Sequence, residues 1–188
     1  MTLARGASVT YRRRRSRKTA LHVAAELGLL NAVKILVIAG ADLEARTNEY
    51  GDNNDSGATP LILASLYGHG HVIRFLLSQG ADVHAISESG VSTLCEASMS
   101  GDLDAILALA DAGADVNAVG ANGQSPLMLA CQSGVATVVQ ALVRRGASEV
   151  AADEDGKTAA DYAVNAQTLA ALRDAFARRA AATREAWR

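Results

Sequence analysis

The feature that most constrains this chain is a period. The string Gly-Ala-Asp stands at Gly40-Ala41-Asp42, Gly80-Ala81-Asp82 and Gly113-Ala114-Asp115, and Gly146-Ala147-Ser148 repeats it without the acid. Successive copies lie 40, 33 and 33 residues apart. A second marker, a hydroxyl residue opening an apolar segment, falls at Thr19, Thr59, Ser92, Ser125 and Thr158, with spacings of 40, 33, 33 and 33. Two unrelated markers share one period and one insertion of seven residues. Units this small cannot bury an apolar face alone, so they must stack, each on its neighbours.

Within each period the residue order predicts helix, turn, helix and an extended excursion. Thr59-Pro60 and Ser125-Pro126 place a capping hydroxyl before a proline at the first helical position. The segment from Leu61 to Tyr67 stops at Gly68, and a second apolar segment, His71 to Gln79, stops at Gly80; glycine is the usual helix terminator. An extended Ala81-Asp82-Val83-His84-Ala85 then leads to a turn closing at Gly90. Small residues at Ala24, Ala25, Ala64, Ala97, Ala130 and Ala163 let neighbouring helices approach closely. With 49% hydrophobic but only 4% aromatic residues and two prolines, the core must be Ala, Leu, Val and Ile in helices. Near the C-terminus Leu169, Leu172 and Phe176 recur at i, i+3 and i+7, one apolar stripe among arginines that fits a capping helix. Trp187 and its neighbours are expected to fray.

Several function classes are disfavoured. The longest apolar run, Ala32 to Ala41, is interrupted by Lys34 and falls short of the roughly 20 residues of a membrane span. No apolar signal segment follows the basic first 18 residues, so a cytoplasmic location is expected. Cys95 and Cys131 lie in apolar segments without a second thiol nearby and read as buried free thiols. No Cys/His pair has zinc-ligand spacing, and His69, His71 and His84 follow no ligand rule. Asp102 and Asp104 are paired carboxylates, but they open a helix, where acids favour the dipole. No GxSxG, GxxxxGK or HExxH string occurs. The expectation is a non-enzymatic chain with no cofactor, no metal and no small-molecule substrate.

The net charge of −2 hides an asymmetry. Residues 1–18 carry seven basic groups and no acid, residues 19–166 sum to −12, and residues 167–188 sum to +3. An acidic body argues against binding a phosphate backbone through the body itself. Arg12, Arg13, Arg14, Arg15, Arg17 and Lys18 form a basic stretch that can bind nucleic acid or anionic lipid, or act as a solvated arm. The excess of Arg over Lys, 15 to 3, points to a GC-rich bacterial genome.

The repeated strings carry a family resemblance. Thr19-Ala-Leu-His-Val-Ala-Ala25, Thr59-Pro-Leu-Ile-Leu-Ala-Ser65, Ser92-Thr-Leu-Cys-Glu-Ala-Ser98 and Ser125-Pro-Leu-Met-Leu-Ala-Cys131 are similar to the T-P-L-H-x-A-A pattern of ankyrin repeats. Thr158-Ala-Ala-Asp-Tyr-Ala163 resembles that family's terminal variant, and Gly113-Ala-Asp-Val-Asn-Ala118 its G-A-D-V-N-A string. The resemblance implies an all-α solenoid of five repeats with short β-hairpin fingers, about 14–46, 47–86, 87–119, 120–152 and 153–180. A basic arm over 1–13 precedes it and a tail over 181–188 follows. Arg17 stands where Gly57, Gly90, Gly123 and Gly156 close later fingers. His22 matches the histidine that bonds neighbouring backbone in this family.

Function follows from the same resemblance. Ankyrin arrays bind other proteins through finger tips and a concave inner-helix face. The matching positions on the first helices include Leu66, Tyr67, Met99 and Gln132. On the fingers they include Arg46, Ile86, Glu88, Val119, Asn122 and Gln124. The first finger spans 17 positions from Gly40 to Gly57 where the next two span 10. Its extra residues put Tyr50, Asp52 and Asp55 at the rim as candidate contacts. Asp52, Asn54, Ser56 and Gly57 match half of a calcium loop, but the twelfth position, which needs a bidentate Glu, is Leu63. The expected role is a protein-binding module, in one version an inhibitor or immunity-type protein, for a partner with a basic face. The alternative is an adaptor tethered to nucleic acid or anionic membrane by its arginine arm.

Overall fold

The computed structural model describes residues 10–12, 16–48 and 56–186. The expected contacts Tyr50, Asp52 and Asp55, the arginines Arg13, Arg14 and Arg15, and Trp187 lie outside them. Among the described residues the chain forms α1 (Ala20–Glu26), α2 (Leu30–Ile38), α3 (Pro60–Leu66), α4 (Gly70–Ser78), α5 (Thr93–Ser100), α6 (Leu103–Asp111), α7 (Pro126–Ser133), α8 (Ala136–Arg144) and α9 (Ala166–Ala186). Each short first helix starts where the hydroxyl markers predict. The Thr19, Thr59, Ser92 and Ser125 side chains accept from the backbone N–H of His22, Ile62, Cys95 and Met128. That contact satisfies one of the free donors that every helix start exposes.

The helices stack in two rows. The first helices pack α1 on α3, α3 on α5 and α5 on α7, while the second helices pack α2 on α4, α4 on α6, α6 on α8 and α8 on α9. The period becomes columns of buried side chains at one register position. Leu21, Leu61, Leu94 and Leu127 form one such column, Val33, Ile73, Ile106 and Val139 another, and Leu36, Leu76, Leu109 and Leu142 a third. Each fully buried residue of this size contributes about 1.5–3 kcal/mol, and in a stack that gain requires the adjacent unit. The result is an all-α solenoid.

The fingers are less sheet-like than the hairpins expected. Among the described residues they hold no strand, only isolated antiparallel bridges, Ile86 to Ser92 and Ala152 to Thr158. The acid of Gly-Ala-Asp explains their entry. Asp42, Asp82 and Asp115 each accept, through Oδ1, the N–H two residues on, at Glu44, His84 and Asn117 (2.9–3.0 Å). This side-chain turn redirects the chain out of the second helix. Adjacent fingers are then joined by main-chain bonds: Asn48 N–H to Ser16 O (3.1 Å), Glu88 N–H to Ser56 O (3.0 Å) and Glu154 N–H to Asn122 O (3.2 Å).

The fifth unit departs from the resemblance. Thr158 to Ala163 forms turns, not a first helix. Asp161 Oδ2 accepts both the backbone N–H and the hydroxyl of Thr158, each at 2.8 Å, and the Tyr162 hydroxyl donates to Asp153. Such local bonds compete with the helix ladder, and no sixth unit exists among the described residues to reward a helix here. The capping helix α9 buries Ala171, Leu172 and Phe176, with Leu169 half-buried. It runs on to Ala186, past the expected repeat boundary at 180.

Candidate functional site

The first-helix row presents its variable positions in register. Leu66, Met99 and Gln132 occupy one position of α3, α5 and α7; Tyr67 follows Leu66 as the C-cap residue of α3. Tyr67 is 39% exposed and Met99 51%, large apolar groups left uncovered, while Leu66 is half-buried and Gln132 exposed. On the fingers Ile86 is 51% and Val119 65% exposed. Among the described residues these four are the uncovered apolar members of the expected contact set, and Leu66 is partly withdrawn from it.

The polar finger residues are engaged within the fold. Arg46 Nη1 donates to Gly57 O (2.9 Å) and Ile86 O (2.7 Å), tying two successive fingers together. The Glu88 carboxylate accepts from the Ser56 hydroxyl. Asn122 holds a left-handed backbone, φ +57°, beside Gly123, and its carbonyl takes part in the finger-to-finger bond to Glu154. Gln124 is half-buried near Tyr162. Arg46 and Glu88 therefore hold the rim in shape, and Ile86 and Val119 project from it.

The basic stretch is partly absorbed too. Lys18 is buried and its ammonium lies 2.8 Å from Glu26 Oε2. Arg12 donates to Arg46 O at 3.4 Å. Arg17 is exposed at φ +54°, so it adopts the left-handed conformation that glycine supplies in later units.

The other titratable groups have structural places. His22 is buried; its Nδ1 accepts from Thr19 N–H (3.1 Å) and its Nε2 bonds Ala58 O (3.1 Å) in the next unit. Burial is the chief cause holding its pKa below the usual histidine value. His69 and His71 bond Glu26 O and Gly28 O, at 2.9 and 3.1 Å, joining unit two to unit one. Asp102 caps α6, accepting from Asp104 N–H at 2.8 Å, and its other oxygen accepts Gly70 N–H at 3.0 Å. Burial raises the thiol pKa of Cys95, and that of Cys131 to about 11, so both stay protonated and unreactive at neutral pH. Among the described residues no group of three or more His, Cys, Asp or Glu is placed to hold a metal ion.

One residue of this surface escaped the residue-by-residue reading. Glu96 stands at the position that Val23, Leu63 and Leu129 fill in other units. It is partly buried, and that desolvation raises its carboxyl pKa above the usual value near 4.5. A single charge at an otherwise apolar register position was the signal available in the sequence.

Among the described residues no helix is long and apolar enough to cross a membrane. Models of ankyrin repeats in three copies match residues 42–120 and 94–174, and a single ankyrin-repeat model matches residues 16–48. Protein phosphatase 1 regulatory subunit 27 of Homo sapiens is 39% identical over 69 residues, 37% of this chain and 40% of that protein, and the Mus musculus protein matches equally. The match thus spans about two fifths of the length of these curated relatives. Both are mammalian and lend no support to the bacterial source that the arginine excess pointed to. Matched from residue 16 to residue 174, the chain belongs to the ankyrin-repeat family.

Proposed function

We propose that this chain is a non-enzymatic protein-binding module that meets its partner on the first-helix row and the adjoining fingers. The observation that carries this reading is the set of uncovered apolar side chains Tyr67, Met99, Ile86 and Val119 on two adjacent units, Ile86 and Val119 at one register position and Tyr67 and Met99 at neighbouring ones. Contacts of this kind gain most from burial in a complex. The ankyrin-repeat architecture and relatives named as regulatory subunits support a binding role. The acidic middle, −12 over residues 19–166, favours a partner with a basic face, which the module occludes in the manner of an inhibitor.

The test is affinity capture with the wild-type chain beside a Tyr67→Ala, Met99→Ala double variant whose melting curve is recorded in parallel. The expected outcome is a partner retained by the wild type and lost by a variant that melts normally. A partner retained by both overturns the assignment of this surface. Association should also slow as ionic strength rises from about 0.01 to 0.15 M, because steering by the acidic body is screened. Stopped-flow association rates independent of salt would remove the basic-face requirement.

A further inference from the structure

We propose that Glu96 anchors one cationic side chain, Arg or Lys, of a partner polypeptide that lays apolar groups across Tyr67 and Met99. This rests on the binding reading above and specifies the partner's chemistry.

The three central first helices are α3, PLILASL, α5, TLCEASMS, and α7, PLMLACQS. Glu96 is the only carboxylate or cation among them. Its register neighbours Leu63 and Leu129 are buried, and Met99 lies one turn along the same face of α5. Among the described residues the Glu96 carboxylate has no hydrogen bond and no ion pair, unlike Glu26, Glu44 and Glu88, which are all engaged. A partly desolvated carboxylate without a partner costs stability in the free protein. A cation arriving there recovers that cost and gains a charge-assisted hydrogen bond. Arg and Lys suit the place because their methylene stems are at home along apolar walls while the charged head reaches the carboxylate.

The fingers beside Glu96 carry a second peculiarity. The main-chain bond between adjacent fingers, formed by Asn48, Glu88 and Glu154, has no counterpart between Ser89 and Ala121. Both residues are exposed. The finger that fails to pair is rooted on α5: a Cβ on Gly120 would lie 3.3 Å from the Cys95 sulfur, adjacent in sequence to Glu96. The Ala121 N–H and the Ser89 carbonyl therefore stand without that bond at the edge of the unit that holds the unpaired carboxylate, while the Ala121 carbonyl accepts the Gln124 N–H (3.2 Å).

The experiment selects random peptides displayed on phage against the full chain, then measures the enriched peptides against Glu96→Leu, Glu96→Gln, Tyr67→Ala and Glu149→Gln. Leu restores the residue of the neighbouring units and Gln keeps the shape, so neither should unfold the chain. Supporting outcomes are an Arg or Lys flanked by apolar residues in the enriched peptides, and a loss of about tenfold or more in affinity with both Glu96 variants, the effect of removing a charged hydrogen bond. Peptides that lose binding with Tyr67→Ala but are indifferent to Glu96 overturn this inference and leave the binding surface standing. An equal loss with Glu149→Gln, a remote exposed acid, means that only the net field is recognised and also overturns it. A library yielding no peptide sensitive to Glu96 or Tyr67 overturns both readings together.

Discussion

Arg17 shows how a single residue can keep the repeat's backbone while breaking its sequence rule. Its φ of +54° matches the +68° of Gly57 and the +78° of Gly90 and Gly156. For a residue with a Cβ that conformation costs roughly 1–2 kcal/mol, more than the roughly 0.5–1 kcal/mol of extra chain entropy that a glycine brings. Arg17→Gly should therefore stabilise the fold by about 0.5–1 kcal/mol, read as a higher midpoint in thermal or urea unfolding. Glu96 makes the opposite point, a residue whose cost lies in its charge. Its folded pKa is raised, so the folded chain binds more protons between the unfolded and folded values, and stability falls as pH rises through that window. At neutral pH the ionised group is a net cost, and Glu96→Leu should gain on the order of 1 kcal/mol. The gain should shrink once pH drops below the usual glutamate value near 4.5. A variant whose advantage is the same at pH 4 and pH 7 would show that packing, not charge, is responsible.

Elements in this fold are held in register by close approach. Gly70 begins α4 with an ordinary negative φ, yet a Cβ there would sit 2.8 Å from Ala105 N and 2.7 Å from Asp104 Oδ2. The start of α6 is fixed against it by the Asp102 carboxylate, which bonds Gly70 N–H and its own helix together. Gly70→Ala must push these helices apart, and a loss of about 1–3 kcal/mol is expected in equilibrium unfolding. The sequence marks Gly70 only as a turn residue between His69 and His71, since nothing local reveals that the next unit passes so near. The same reason explains the fifth unit. The Thr158 segment matches a first helix in pattern, but a pattern cannot show which neighbours are present to bury it. Thr158 and Tyr162 instead satisfy Asp161 and Asp153.

At the scale of the molecule, buried columns running through the first four units give the array its continuity, and the fingers give it a second, polar seam. In that seam some exposed polar positions of the rim are already engaged within the fold. Arg46 and Glu88 are exposed, yet their charged groups join fingers. Ile86 and Val119 have no such occupation. A partner that covers Tyr67, Met99, Ile86 and Val119 would span at least two adjacent units, so it should raise the unfolding midpoint of the whole array in proportion to its binding.

Read alone, the sequence establishes the period, the starts of the first helices in four units and the family. All of these follow from residues close in the chain or repeated along it. Packing across units decided which polar groups are already spent: Lys18 on Glu26, Arg46 on two fingers, Asp102 on the neighbouring unit. It also decided that Glu96 is left over. A hydrogen-bond partner some 30 or 40 residues away leaves no mark in local pattern, because many side chains satisfy the same helical register and only packing selects among them.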